Sequence, residues 1–349
     1  MAYISFQPKD YFNTKLYTGT GSSNVLTGIG FQSDLIWTTT RNASEIRPIN
    51  DSVNGINGYV RSNDVDMLDA SGSCITAQSS DGYTVGTEDR FNENLNTFVS
   101  WNWKAGTSTG IDLTAGTITP SAYSISTTAG ISILKYAGTG TASQTIAHGL
   151  GSVPKFMLFK RTDASGSWPV YNASLGPTKA MILNTTAISD TGTSYFQDTD
   201  PTSTLISIGS AGELNASSST NICYCFAEKQ GYSKFGMYTG NGNADGSFIY
   251  TGFRPAYFLI KADKVGEPWL SFNNKTQGFN ADGSASTGNH SFNIESTLIE
   301  SNSSYIDFVS NGIKLRNGGG HIGGAWDYIY AAFAESPIVS SNNIPVVAR

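Results

Sequence analysis

The feature that most constrains this 349-residue chain is that it writes one sentence three times. Residues 17–41 read YTGTGSSNVLTGIGFQSDLIWTTTR, residues 136–160 read YAGTGTASQTIAHGLGSVPKFMLFK, and residues 238–261 read YTGNGNADGSFIYTGFRPAYFLIK. Each copy opens on a tyrosine and a small-residue turn (Tyr17, Tyr136, Tyr238) and starts a second strand after a glycine (Gly30, Gly151, Gly252). From Tyr136 to Tyr238 is 102 residues and from Gly151 to Gly252 is 101, so the spacing is held across the turn. Each copy closes on an aromatic, apolar run: NTFVSWNWK (96–104), NICYCFAEK (221–229) and DYIYAAFAE (327–335). Such a repeat decides the architecture before any single residue does.

Within a copy, turn signals recur about every 8–12 residues and helical periodicity is almost absent, the pattern of an antiparallel sandwich or barrel. SSDGYTVG (79–86), SAGELN (210–215) and SNGIKLR (310–316) read as a two-residue turn before a short alternating strand, because Asp-Gly and Asn-Gly tolerate the positive φ of a tight hairpin. FMLFK alternates poorly and reads as fully buried. The expected fold is all-β, three tandem antiparallel β-sandwich (jelly-roll-like) repeats of about 100 residues. A unit of that size can close its own core, so three beads are expected rather than a solenoid, the second and third rigidly docked because the junction GYSKFGMYTG is too short to flex. The divisions are an N-terminal docking arm (1–16), repeat 1 (17–106), a connector that partly joins a sheet (107–135), repeat 2 (136–237), repeat 3 (238–336) and a C-terminal tail (337–349).

Composition narrows the function classes. Charged residues are only 14% of the chain, while 17 Tyr, 18 Phe and 6 Trp supply ample apolar area for cores. A net charge of −6 argues against nucleic acid as a partner, since neutralising phosphates provides most of that affinity. No run approaches the ~20 apolar residues of a membrane span, and the start MAYISFQPKDYFNTK lacks the basic and apolar regions of a secretion signal, so neither membrane insertion nor export is expected. Three cysteines make no disulfide framework; Cys223 and Cys225 flank Tyr224 on one strand face and read as buried packing.

Chemistry is sparse. His148, His290 and His321 all lie in glycine-rich turns at unrelated repeat positions, and no nucleophile elbow, zinc motif or phosphate loop accompanies them. They read as turn or surface residues. Glu228 and Glu335 share a repeat position but belong to separate copies, unlike the facing acids of a glycosidase. Asp245-Gly246 and Asp282-Gly283 read as capped turns, because neither continues into a calcium loop with its distal glutamate. Neither catalytic residues nor a metal or cofactor are expected, and the chain reads as a non-enzyme. Trp101, Trp103, Trp168, Trp269 and Trp326 are candidates for stacking on sugars, but Trp168 and Trp269 share a repeat position and read as core. The candidate surface contacts are Asn289, His290, His321 and Trp326, in or beside the loops 273–291 and 317–324.

The strings AEKQGYSKFGMYTGNGNADGSFIYTGFRPAYFLIK, GFQSDLIWTTTR, VSWNWKAG and HGLGSVPKFMLFKR resemble a family of repeat-containing virion proteins of marine tailed bacteriophages, including phages of cyanobacteria. The resemblance runs from Met1 to about Pro337. Family copies often carry FQPD or PDF in the second strand with a following Lys-Asn-Arg, where the first copy here reads SDLIWTTTRN. The resemblance implies a structural or tail-fibre-like virion protein, assembled in the host cytoplasm, with no active site to carry over. Its implied partners are other virion proteins, reached through the N-terminal arm, and a polysaccharide or protein receptor on the host surface. A homotrimer is the expected assembly, since such appendages form closed cyclic groups. A capsid decoration or cement protein is the alternative, and a polysaccharide depolymerase the third reading.

Overall fold

A computed structural model describes residues 6–70, 72–276, 289–303 and 305–335. The described chain is nearly all β and its named strands pair antiparallel, as the alternating runs and turn spacing imply. Three large sheets share one strand order. In the first, the opening strand Phe12–Thr18 lies beside the closing strand Thr97–Trp103, then the central strand Leu35–Thr40, then Pro48–Asp51 and Val60–Arg61. The second runs Ile131–Ala137, Thr220–Ala227, Pro154–Arg161, Pro169–Asn172, Lys179–Ile182, with Ala122–Ser126 added beyond the opening strand. The third runs Ser233–Thr239, Asp327–Phe333, Tyr257–Ala262, Trp269–Asn273, Asn289–Asn293. A small sheet accompanies each: Asn24–Leu26, Gly82–Val85 and Ile75–Ser79; Gln144–Ala147 and Leu205–Ile208; Phe248–Tyr250, Gly312–Leu315 and Ile306–Val309.

Register makes the three units superimposable by residue. Trp103, Phe226 and Phe333 face the starts of both neighbouring strands in their own sheets, and so Leu35, Phe156 and Tyr257 occupy one equivalent position. Each small sheet closes a core against the outer face of its large sheet, around Ile36 and Tyr83, Phe159 and Ile206, and Phe258 and Ile313 respectively. Those are the expected sandwiches.

The second and third copies are docked, as the short junction implies, but the first is not a separate bead either. The other faces of all three large sheets meet in one core, which joins Trp37 and Trp101 of the first unit, Phe156 and Tyr224 of the second, and Tyr257 and Phe333 of the third. The physical reason lies in the strands. Leu35–Thr40 and Tyr257–Ala262 are buried at every position, so each large sheet has two apolar faces and one small sheet can cover only one of them. At the centre is an apolar cavity of about 20 Å³, lined by equivalent residues of all three units.

Three seams close the ring, each with three hydrogen bonds at equivalent positions. The indole of Trp168 donates to the Arg61 carbonyl at 2.8 Å, that of Trp269 to the Ile182 carbonyl at 3.0 Å, and the Arg47 guanidinium Nε to the Asn293 carbonyl at 3.4 Å. Gly166 N donates to Val65 O at 2.8 Å, Gly266 N to Thr186 O at 2.9 Å, and Ser44 Oγ to Thr297 O at 2.8 Å. In the opposite direction Leu68 N reaches Thr162 O at 3.0 Å, Ser189 N reaches the Asp263 Oδ1 at 3.0 Å, and Glu300 N reaches Arg41 O at 2.9 Å. First meets second, second meets third, and third meets first: a head-to-tail contact that closes on itself, as in a cyclic trimer but within one chain.

Local expectations shift accordingly. The first repeat's opening strand begins at Phe12, five positions before Tyr17, and the second's begins at Ile131, inside the stretch read as a connector. Residues 6–16, expected as a free docking arm, are packed on the body: Phe6 sets its ring edge-on to Tyr11 and Tyr232, and Phe12 stacks on Phe333. Aromatics at that density gain more by burial than by reaching outward. The hairpin turns are Ser80-Asp81 and Ser310-Asn311, one residue earlier than read, because Ser79 pairs with Gly82 and Val309 with Gly312. Those glycines lie in the strands, where a Cβ would sit 2.0 Å from Leu26 O and 2.1 Å from Ile249 O. SAGELN is not a strand: Gly212–Asn215 is a helical turn, and Leu205–Ile208 takes the strand position. The tail 337–349 lies outside the described residues.

Candidate functional site

The repeated Tyr-x-Gly-x-Gly text builds a clasp. Tyr17, Tyr136 and Tyr238 each donate their hydroxyl to a backbone carbonyl of the loop before the closing strand, at Phe91 (2.8 Å), Leu214 (2.7 Å) and Ile322 (2.8 Å). The next glycine lets that loop lie against the opening turn: a Cβ at Gly19, Gly138 or Gly240 would stand 2.1, 2.3 or 2.0 Å from a backbone oxygen. The second glycine of the motif, Gly21, Gly140 or Gly242, is left-handed (φ 67°, 73°, 67°). In two clasps a buried asparagine completes the joint. Asn92 accepts from Thr20 N and donates to Gly86 O, while Asn215 accepts from Thr139 N and donates to Thr141 O and Gly209 O. The third clasp has glycines there, which is why the sequence alone hid this pair.

The glycine-rich third loop carries two of the expected surface residues. His321 is exposed, with Nδ1 2.6 Å from Oε2 of Glu267, which comes from the seam loop after the third central strand. Trp326 is half-buried under the Lys264 ammonium, 5.2 Å from its ring centre, and a Cβ on Gly320 or Gly324 would lie 2.8 Å from its ring. His321, Glu267, Lys264 and Trp326 therefore form one polar surface group. Because a cation and glycine backbone crowd Trp326, it offers an edge rather than an open stacking face.

His290 goes elsewhere. Its Nδ1 is 2.7 Å from Oε1 of Glu300, whose Oε2 takes Arg41 Nε at 2.8 Å, so it belongs to the seam between third and first units. Asn289 opens the same strand. Much of the loop 273–291, including Asp282-Gly283, lies outside the described residues. His148 is buried, not at the surface; it holds Thr202 O at 3.2 Å and receives Leu150 N at 3.2 Å, and burial lowers its pKa.

The remaining chemical candidates are structural in their contacts. Trp101, Trp103, Trp168 and Trp269 are buried and cannot be sugar platforms. Glu228 pairs with Lys234 at 2.8 Å and Glu335 with Lys275 at 2.9 Å. Exposed Asp245 pairs with Lys314 at 2.7 Å. Cys223 and Cys225 hold their sulfurs 3.4 Å apart on one buried face, and burial pushes the Cys223 thiol up. Among the described residues no three His, Cys, Asp or Glu side chains gather as metal ligands would.

Residues that sequence reasoning missed sit at the seams. Arg47 occupies the register position of Trp168 and Trp269, and Lys160 and Lys261 that of Thr39. Lys160 Nζ donates to Val65 O across the seam at 2.7 Å and to Gly166 O at 2.6 Å. Lys261 Nζ donates to Ala262 O at 2.8 Å. Burial lowers both lysines to about 8. Asn63, Asn184 and Glu295 in turn accept the backbone N–H of Arg47, Trp168 and Trp269 at 2.8, 3.0 and 3.0 Å. From Asn184 to Glu295 is 111 positions where Trp168 to Trp269 is 101, so both the spacing and the unlike residue types masked the equivalence.

A family model described as a domain of unknown function, DUF7483, matches residues 7–337, which is nearly the whole described ring. Neither the curated proteins nor the solved structures give a match.

Proposed function

We propose that this chain, which belongs to the DUF7483 family over residues 7–337, is a bacteriophage virion structural protein, a tail fibre or appendage that takes part in host attachment. The observation that carries this reading is how the repeated text is used. Tyr-x-Gly-x-Gly forms clasps, the closing strands form the common core, and the residues at the Trp168 position form seams. The motifs thus serve shape, and the text that differs between copies includes the exposed loop that carries His321 and Trp326. Such a division suits a particle component that presents variable surface on a fixed frame.

The surface group of His321, Glu267, Lys264 and Trp326 is the face offered to a host-surface polysaccharide or protein. Purified chain added to susceptible cells before infection tests the reading. Attachment predicts saturable cell binding and slowed adsorption, and the His321→Ala/Trp326→Ala variant loses both. Absence of binding by the folded wild-type chain removes the receptor role.

A capsid decoration protein is the second reading, favoured by the approximate threefold of a single chain, which matches a threefold lattice point. Copy number separates the two: hundreds per particle for decoration, a few to some tens for an appendage.

A further inference from the structure

The seams do more than close the ring. Large apolar side chains stand exposed in pairs beside them: Val65 and Met67 at the first, Ile188 and Val265 at the second, Leu298 and Ile299 at the third. Three of these are equivalent by register. Met67, Ile188 and Ile299 each lie six residues beyond the seam acceptors Arg61, Ile182 and Asn293, and each immediately precedes a seam donor, Leu68, Ser189 or Glu300. Their exposures are nearly the same, 53%, 48% and 53%. A repeated apolar residue left in water three times over, in loops whose other residues differ and are mostly polar, is not the scatter of single exposed apolar residues that any surface shows.

Equivalent points of a closed ring lie at one level along its axis, here beside the ends of the three central strands, where the loops 41–47, 162–168 and 263–269 begin. We infer that Met67, Ile188 and Ile299 are a three-point docking surface for the end of a homotrimeric protein, one apolar knob for each partner subunit. The knobs continue the seam interface outward, so their positions are fixed by the seam hydrogen bonds and little order is lost on binding. Charge defines the sockets further. Asp66 flanks Met67 and exposed Asp190 lies two residues from Ile188; at the first seam Asp64, Asp66 and Asp69 face Arg61 with Lys160 and Arg90 close by, and at the third Glu300 is paired with Arg41, so no knob has a strongly basic rim of its own. The partner therefore offers an apolar socket with a basic or neutral rim. A second copy of this chain would set knob against knob and acid against acid, and the same acids oppose an anionic lipid surface. Three weak contacts on a rigid frame combine by effective concentration, so each knob depends on the others.

The inference rests on the ring and not on the virion reading. In the cells that make the chain, the photoreactive residue p-benzoylphenylalanine is placed at 67, 188 or 299 in turn, and the linked peptides are identified after irradiation. A homotrimeric partner predicts that all three positions link to the same peptide of one polypeptide. Pairing a probe at 67 with Ile188→Asp and Ile299→Asp then lowers its yield at least about tenfold. Links to different proteins, to another copy of this chain, or to none, in variants that unfold like the wild type, overturn the inference. Whether the linked partner sediments with particles is a separate observation, and its failure counts against the virion reading alone.

Discussion

The indole N–H of Trp168 lies 2.8 Å from the backbone carbonyl of Arg61, 107 positions earlier, and joins the second unit to the first. Trp269 repeats the bond to Ile182 one unit later at 3.0 Å. Removing the donor while keeping an aromatic ring leaves the carbonyl only a long second donor, Asp64 N on Arg61 O or Thr185 Oγ1 on Ile182 O, each at 3.4 Å, which costs about 1–2 kcal/mol. Trp269→Phe is therefore expected to lower the unfolding free energy by that amount, read as a lower urea midpoint at an unchanged slope, with Trp168→Phe matching it.

The repeated glycines differ in why they are glycine. A methyl at Gly138 meets Ala216 O at 2.3 Å, whereas Gly151 is left-handed (φ 65°) with nothing near its missing Cβ. Gly138→Ala should cost about 1–3 kcal/mol or more through overpacking. Gly151→Ala should cost only the roughly 1–2 kcal/mol of a left-handed alanine. Thermal unfolding of the two variants checks the order.

Burial lowers Lys160 to about 8, against an ordinary value of 10.5. Between those values the unfolded chain retains a proton that the folded chain has released, so this group's contribution to stability rises with pH across the window. Comparison with Lys160→Met isolates it from the tyrosines and cysteines that titrate nearby. The difference, wild type minus variant, should move in favour of wild type from pH 7 to 9.5 and stay flat from pH 5 to 7.

A common core makes the three units one cooperative body. Calorimetry is expected to show a single transition whose calorimetric and van't Hoff enthalpies agree, whereas independent beads would give separate steps or a ratio well above one.

Much of this fold was legible in the text. The spacing of Tyr136 and Tyr238 fixed the clasp positions, and the doubly buried character of FMLFK was readable from its failure to alternate. What covers the second face of such a strand was not readable, since a neighbouring unit and a unit's own second sheet demand the same apolar residues. Arg47 hid the closing seam in the same way: an arginine and two tryptophans look unrelated until register shows that each sends an N–H to the same carbonyl position. At the candidate site, His321 and Trp326 were readable as exposed-loop residues. Glu267, the partner of His321, arrives from a loop more than fifty positions away, and no local pattern announces it.

The contact between the first and third units separates a closed ring from a row of beads, and Ser44 and Thr297 supply the probe. Their hydroxyl oxygens are 3.1 Å apart across 253 positions of chain. In Ser44→Cys/Thr297→Cys, mild oxidation of the folded protein should join the two new cysteines, detected as one linked peptide pair, with the buried native thiols unreacted. A folded double variant whose cysteines at 44 and 297 stay reduced, or link only between molecules, would contradict the ring.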